Sequence, residues 1–461
     1  MGSSPQLGPG TDFPFPGDAK PNRWTLLQRI LFRFVFAYLV LYAAPATERA
    51  DLLSVIPGGA FVARPYISLW HSVVPWVAKT TFHLSGRAIV YIRTGSTDTS
   101  LDYILEFCFV LLALAATVLW SILDRRRGDY SRLHAWLRLL IRYNLSFTLF
   151  IYALVKIFPL QFPSTPLDRF VEPHGNFSPM GLLWSFMGAS TPYTIFGGVC
   201  EATAASFLLF RRTTTLGGFI AFGVLLNVTM LNFCYDVPVK LYSTNLLLMA
   251  VFLAAPDVRR LVDVFILNRP TPPSYVPTIR FERRAARIGV TLFQFVFTGI
   301  FLFGQVSNNW KAYKRQYVNP ERPPIYGLYR VETFLRGGQE VPPLATDQSR
   351  WNWLIAQSPR GLAIQNMDGL PPQFFPAQYD AVNHHIALTV RGVKYSFIYT
   401  YPDPDHLLFE GGGEKDRLSV RFRKIDPSAF LLASRGFLGS MSYPSTAEMG
   451  IEGIAAIQTK L

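Results

Sequence analysis

Long apolar runs dominate the first two thirds of the chain, and alternating apolar and polar positions dominate the last third. A hydrocarbon layer about 30 Å thick needs roughly 20 mostly apolar residues in a helix. Seven stretches meet that requirement, near 25–44, 103–123, 139–158, 192–210, 214–235, 239–256 and 287–305. The second, containing FCFVLLALAATVLWSIL, is the clearest; 239–256 is the weakest, being short and opening on Lys240. Two further stretches, 65–84 and 180–190, are shorter and are broken by proline or rich in aromatic residues. They read as interfacial or re-entrant pieces.

From about residue 320 the period changes to two. Tyr395-Ser396-Phe397-Ile398-Tyr399-Thr400-Tyr401 and Leu418-Ser419-Val420-Arg421-Phe422-Arg423 alternate as half-buried antiparallel strands do. Turn chemistry separates such runs at Gly337-Gly338, Met367-Asp368-Gly369, Pro402-Asp403-Pro404-Asp405 and Gly411-Gly412-Gly413. The glycine triplet lacks the Lys-Ser/Thr of a phosphate loop and lies between strands, so it reads as a hairpin turn. The pattern predicts a small up-and-down meander or half barrel of six to eight strands. The expected organisation is a flexible cytoplasmic tail over 1–23, a helical membrane domain over 24–305 with an outer loop at 45–102, and a β-rich extracytoplasmic domain over 306–461.

Composition agrees with a bilayer. Only 16% of the 461 residues are charged, against about 25% in a soluble chain. The 38 Phe, 21 Tyr and 9 Trp supply too much apolar surface for disorder, and three cysteines exclude a disulfide scaffold. The formal net charge of +14 would suit nucleic acid, but its placement follows topology instead. Lys20, Arg23 and Arg29 precede the first span, Arg125, Arg126, Arg127 and Arg132 follow the second, and Arg211 and Arg212 follow the fourth. Arg259, Arg260, Arg269, Arg280, Arg283, Arg284 and Arg287 follow the sixth. The alternate connections are poorer: 159–191 holds only Arg169, 236–240 only Lys240, and the five basic residues of 45–102 are diluted over a length where the rule weakens. By the positive-inside rule the N-terminus is cytoplasmic and everything beyond 306 extracytoplasmic, with no nucleic-acid partner. Ala44-Pro45-Ala46 offers a competing reading as a signal-peptide cleavage site, against which stand the long polar lead and Arg33.

Charges at bilayer depth carry the chemical information, because each costs about 2.5–3.5 kcal/mol at the centre. Glu201, in GGVCEATAASFLLF, lies near the middle of the fourth span and is too short to reach the headgroups. Asn227 and Asn245 fall at similar depth on the next spans, and the third adds Asn144, Ser146, Thr148 and Tyr152. These groups either face one another around a polar pocket or act as interhelical hydrogen-bond glue. Lys156, near the outer end of the third span, either reaches outward or supplies the cation for Glu201. Asp236 and Lys240 bracket Pro238 in the turn between spans five and six, as a structural ion pair or as chemical groups. Arg33, one turn deeper than Arg29, either reaches the inner headgroups or adds a cationic contact to the pocket. In the outer loop, Thr94 to Tyr103 suits turns and a helix cap through Asp102. No metal site is expected: His71 and His83 are twelve apart, His384 and His385 face opposite sides of a strand, and there is no HExxH or CxxC pair. Cys108, Cys200 and Cys234 read as small apolar fillers.

LRLLIRYNLSFTLFIYALVKIFPLQFP, MGLLWSFMGASTPYTIFGGVCEATAASFLLFRRTTTLGGFI and NFCYDVPVKLYSTNLLLMAVFLAAPD together resemble the DoxX-like membrane family, over about residues 25–260. FEGGGEKDRLSVRFRKID and FLLASRGF resemble the tails of its larger bacterial members. The resemblance implies a four-helix membrane core in a bacterial inner membrane, and the family name comes from a thiosulfate:quinone oxidoreductase subunit. It also implies that Glu201 matches a recurring intramembrane acid and Lys156 a recurring lysine, both lining one pocket. This chain departs from the pattern in size, in its extra spans and in lacking a redox pair. Two functions follow as expectations. One is a polar intramembrane pocket that binds a quinone, a lipid or another amphiphile, with redox chemistry coupled to it. The other is a non-enzymatic accessory subunit whose β domain recruits an extracytoplasmic protein partner.

Overall fold

The computed structural model describes residues 24–44, 59–91, 95–271, 274, 283–390, 393–413 and 416–434. The expected tail 1–23, the 45–58 part of the outer loop, Thr94 and Arg280 lie outside the described residues.

Among the described residues ten helices of eight residues or more precede the strands: α1 Leu26–Ala43, α2 Gly59–Thr80, α3 Ser100–Leu123, α4 Ser131–Ile157, α5 Pro179–Ala189, α6 Thr191–Leu209, α7 Thr214–Cys234, α8 Lys240–Ala254, α9 Val258–Phe265 and α10 Arg284–Tyr313. Among the described residues six helical stretches are long and apolar enough to cross a membrane: Leu26–Ala43, Ser100–Leu123, Ser131–Ile157, Arg211–Cys234, Lys240–Phe265 and Arg284–Val318. That is one fewer than the seven expected. The seventh stretch, α6, is helical over 19 residues as expected and is more polar than the six, with Thr191, Thr194, Glu201, Thr203 and Ser206 along it.

The stretch 65–84 is, as expected, not among the helices apolar enough to cross, but the break expected at its prolines is absent. α2 runs unbroken for 22 residues through Pro65 and Pro75. Its buried stripe of Ala63, Trp70, Val74 and Ala78 has helical spacing, and Trp70 meets Phe109 of α3 edge-on at 5.0 Å. Packing along one face outweighs the hydrogen bonds that the prolines forgo. The expected piece 180–190 is α5, whose 11 residues are too short to span. Asp102 caps α3 as expected, through a reciprocal box: its carboxylate accepts from the Thr99 N–H at 3.0 Å, and Thr99 Oγ1 accepts from the Asp102 N–H.

By contacts the chain forms two units, 1–147 with 248–290 and 148–247 with 291–461. In the first, Arg33 is 2% exposed. It does not reach outward: its guanidinium spends four of its five N–H donors inside this unit, on the Tyr130 hydroxyl at 2.7 and 3.0 Å, Ser121 Oγ at 2.7 Å and the Asp124 carbonyl at 2.9 Å.

The second unit holds the strands: β1 Gly327–Arg336, β2 Gln339–Glu340, β3 Trp351–Ser358, β4 Gly361–Asn366, β5 Gln373–Asp380, β6 His385–Val390, β7 Val393–Asp403, β8 His406–Gly412 and β9 Arg417–Ile425. All pairings are antiparallel, in the order β2-β1-β3-β4-β5-β6-β7-β8-β9, and β9 returns to pair with β1 from Leu328↔Ile425 to Arg336↔Leu418. The expected half barrel is therefore a closed one. Alternation along a strand sets which side chains face inward, and says nothing about whether the first and last edges meet. Closure removes both edges and their unpaired backbone groups. At the β8–β9 end a Cβ on Gly411 would lie 2.0 Å from the Ser396 carbonyl oxygen and one on Gly412 1.8 Å from that of Asp416, so glycine is required at both.

The barrel encloses an apolar core rather than a ligand cavity. Phe334, Phe397, Phe409 and Phe422 are fully buried, with Tyr329 and Tyr399 2% exposed. Outside it, Leu328, Ile355, Ala363 and Ile425 form a second cluster with Leu167, from the connection between α4 and α5. Hydrogen bonds reinforce that seat. The Leu167 N–H donates to Gln357 Oε1 at 2.8 Å, Gln357 Nε2 to Asp168 Oδ1 at 3.1 Å, and Gln365 Nε2 to the Val171 carbonyl at 3.2 Å. The connection leaving α4 is thereby fixed to the barrel, and both lie on one side of any membrane that these helices cross.

On the barrel surface His406 bridges two carboxylates, with Nδ1 2.7 Å from Asp403 and Nε2 3.1 Å from Glu332. The hydrogen bond from His406 holds the Asp403 carboxyl below its usual value of 3.8. A depressed carboxyl stabilises the fold above its unfolded value, and that contribution disappears as pH falls through the lower folded value. The stability advantage of the native chain over Asp403→Asn is therefore expected at neutral pH and to vanish once pH drops well below 3.8, read as melting temperature against pH.

Candidate functional site

The second unit brings two of the expected charges into direct contact. Lys156 Nζ, one residue from the end of α4, donates to Glu201 Oε1 at 2.7 Å and Oε2 at 2.8 Å. Lys156 is 8% exposed and Glu201 3%. The alternative in which Lys156 supplies the cation for Glu201 is the one observed. The reason is local. Gly198 stands one turn before Glu201 on α6, and a Cβ there would lie 2.7 Å from the Ala153 carbonyl oxygen and 2.9 Å from Lys156 Cβ. Only glycine lets α6 approach α4 closely enough for a short carboxylate to meet the ammonium.

Gly198→Ala is accordingly expected to destabilise the protein by about 1–3 kcal/mol through overpacking. Gly223→Ala on α7 serves as the comparison, because a Cβ at Gly223 meets nothing within 4 Å. That change should be neutral or mildly stabilising, and thermal melting of the two variants in one detergent separates them.

Around the pair, the Tyr152 ring centroid lies 5.7 Å from Lys156 Nζ, and Tyr152 meets Tyr242 of α8 at 6.1 Å. Asn245, also on α8, is buried, and its Nδ2 donates to the Leu241 carbonyl of its own helix at 3.0 Å. Asn144 is buried within α4. The remaining sequence candidates stand elsewhere. Asn227 falls on the exposed face of α7. Asp236 and Lys240 form their own ion pair at 2.7 Å in the α7–α8 turn, with the Asp236 side chain 82% exposed.

Sequence reasoning missed Thr229 and Asn232. Both are buried on α7, and Thr229 Oγ1 and Asn232 Nδ2 have no hydrogen-bond partner among the described residues. A signal for them exists. Gly217, Gly218, Ala221, Leu225, Thr229 and Asn232 are the buried positions after Thr214, a stripe of helical spacing that starts on small residues. Asn227 stands two residues beyond Leu225, on another face. Gly217 packs against Leu208 of α6, so an equal count along both helices sets Glu201 level with Val224. At about 1.5 Å per residue, Thr229 and Asn232 then lie about 8 and 12 Å further toward the end that carries Thr191. Both are on the same side of Glu201 as Lys156.

The site is thus a neutralised, desolvated pair with the Tyr152 ring beside it. The ammonium has three N–H bonds, and the two oxygens of Glu201 are the acceptors it meets among the described residues. One N–H therefore remains to donate to a carbonyl, phosphate or hydroxyl oxygen. Cys108, Cys200 and Cys234 are free thiols, and no cluster of three or more His, Cys, Asp or Glu suited to a metal ion occurs among the described residues.

Apolar helices long enough to cross a membrane, a buried Lys–Glu pair and a closed C-terminal barrel define a membrane protein of mixed helical and β architecture. Over 124 residues the chain is 32% identical to the uncharacterized protein YwoB of Bacillus subtilis, a match that takes in 27% of this chain and 79% of YwoB. The chain belongs to the family of YwoB. No family model matches it, and no solved structure does.

Proposed function

We propose that this is a DoxX-like protein of the bacterial inner membrane whose helices α4, α6, α7 and α8 bind the polar head of a quinone, a lipid or another amphiphile at Lys156 and Glu201. The observation that carries the reading is the ion pair itself. Burying two charges costs more than an apolar pair of the same volume, so such a pair is weak evidence for stability and stronger evidence for a task. The unpartnered Thr229 Oγ1 and Asn232 Nδ2 support it, since buried polar atoms ordinarily have partners. In this reading Lys156 donates its remaining N–H to the ligand. Glu201 fixes the ammonium and, where a bound quinol passes its two electrons to an external electron acceptor, takes up one of the protons released; the ligand's apolar tail runs between helices. The basic connections at 124–132, 211–212 and 258–287 support a cytoplasmic N-terminus and an extracytoplasmic barrel.

The test is organic extraction and mass spectrometry of the protein purified in mild detergent. A stoichiometric quinone or lipid is expected from the native chain and is expected to be lost from Glu201→Ala. An accessory role is the second reading, favoured by apolar side chains on the barrel surface such as Val382, 88% exposed, and Ile398, 56% exposed. A bundle that comes out empty together with a stoichiometric protein bound through the barrel would replace the first reading by the second.

A further inference from the structure

A different site stands where α10 ends. Phe158, Trp310, Tyr313 and Tyr317 stack in succession, with Phe158–Trp310 at 6.2 Å, Trp310–Tyr313 at 5.7 Å and Tyr313–Tyr317 at 5.1 Å. The Tyr317 hydroxyl donates to the Pro159 carbonyl at 2.7 Å. Clustered Trp and Tyr at the end of an apolar helix mark the headgroup layer. At this level the helix widens into a π turn over Lys314–Val318, a form found often at functional sites.

The charge here runs against the rest of this side. The short connections on the barrel side are poor in basic residues, with Arg169 alone in 159–191 and Lys240 alone in 236–240, and the long loop 45–102 spreads five along its length. Yet Lys311, Lys314, Arg315 and Arg322 crowd the end of α10. Two of these are occupied by rings: Lys314 Nζ lies 5.3 Å from the Trp310 centroid, and Arg322 4.4 Å from that of Tyr326. Arg315 is not so occupied. It lines a groove of about 410 Å³ together with Gln316, Glu321, Ser358 and Arg360. Arg360 comes from the β3–β4 turn. Gly327 pairs with Ala356, so that turn lies at the barrel end where the chain arrives from α10. Neither guanidinium has an ion pair among the described residues, and the single carboxylate of the groove, Glu321, leaves its charge at +1.

We propose that the Arg315–Arg360 groove binds the phosphate headgroup of an anionic phospholipid on the barrel side of the membrane. Two guanidiniums from separate elements hold the phosphate oxygens in charge-assisted hydrogen bonds, with Gln316 and Ser358 as neutral donors. The acyl chains descend past the aromatic stack into the bilayer. Glu321 disfavours more highly charged heads. The site does not depend on the Lys156–Glu201 reading or on which face of the membrane the barrel occupies.

The experiment places the full chain in phosphatidylcholine nanodiscs containing a minor fraction of phosphatidylglycerol, and counts retained phosphatidylglycerol by native mass spectrometry. Each of Arg315→Gln and Arg360→Gln is expected to lower its retention about tenfold. Arg315→Lys should lose less, and Arg421→Gln, on the barrel wall beside Glu332, should lose nothing. Equal retention in the native chain and in both glutamine variants would overturn the site. Binding of inorganic phosphate through the same arginines, in phosphatidylcholine discs and with displacement of phosphatidylglycerol, would overturn the lipid in favour of a free anion. Melting of every variant within a few degrees of the native chain separates lost binding from lost fold.

Discussion

Lys156→Met, with Glu201 left in place, is expected to lower stability by about 3–5 kcal/mol, because it strands a buried carboxylate without its partner. Both carboxylate oxygens accept from the one ammonium at 2.7 and 2.8 Å. With the Glu201 side chain 4% exposed, water cannot replace that cation. Glu201→Gln alone leaves an ammonium facing a neutral amide and should cost somewhat less, since the amide oxygen still accepts a hydrogen bond. The combination Lys156→Met with Glu201→Gln removes both charges and is expected to recover most of the loss. Thermal melting of the four proteins in one detergent gives the coupling between the two positions directly. Additive losses would mean that the two side chains act separately. Recovery of stability in the double variant without recovery of ligand retention would show that the pair is kept for binding rather than for the fold.

Phe409→Ala is expected to cost about 3–5 kcal/mol in the barrel. Phe409 is fully buried, and its ring meets Phe397 at 5.6 Å and Phe422 at 5.1 Å. These three rings come from three adjoining strands, so the cavity left behind opens at the centre of the closed ring of strands. The barrel is also seated on the Leu167–Val171 segment through Gln357 and Gln365. Loosening it should therefore expose that segment to protease as well. Limited proteolysis of the full chain at neutral pH, scored at Arg169 and at the barrel turns, checks both effects. Phe374→Ala, at a position 56% exposed on β5, provides the comparison and should change little.

The apolar helices, the strands and Glu201 as a carboxylate inside an apolar helical region could be read from the chain alone. Each of these depends on a local period or on one residue's chemistry in oil. Helical stripes and strand alternation repeat within a few residues, and a carboxylate inside an apolar run is conspicuous wherever it sits. The same logic expected a break at the two prolines of α2, through which the helix in fact runs; α6 is helical where expected, though its polar residues keep it below the apolarity of its neighbours. That logic also put Asn227 in the pocket on grounds of depth. Depth does not distinguish one face of a helix from another.

Tertiary structure decided the rest. The 45-residue separation of Lys156 and Glu201 carries no local signal; the pair exists because Gly198 lets two helices touch. The choice of Thr229 and Asn232 over Asn227 depends on which side of α7 packs against α6. Closure of the barrel joins strands at opposite ends of the domain, and the Arg315–Arg360 groove joins a helix end to a distant turn. In each case the determining contact lies between residues far apart along the chain, and a one-dimensional pattern does not encode which distant surfaces meet.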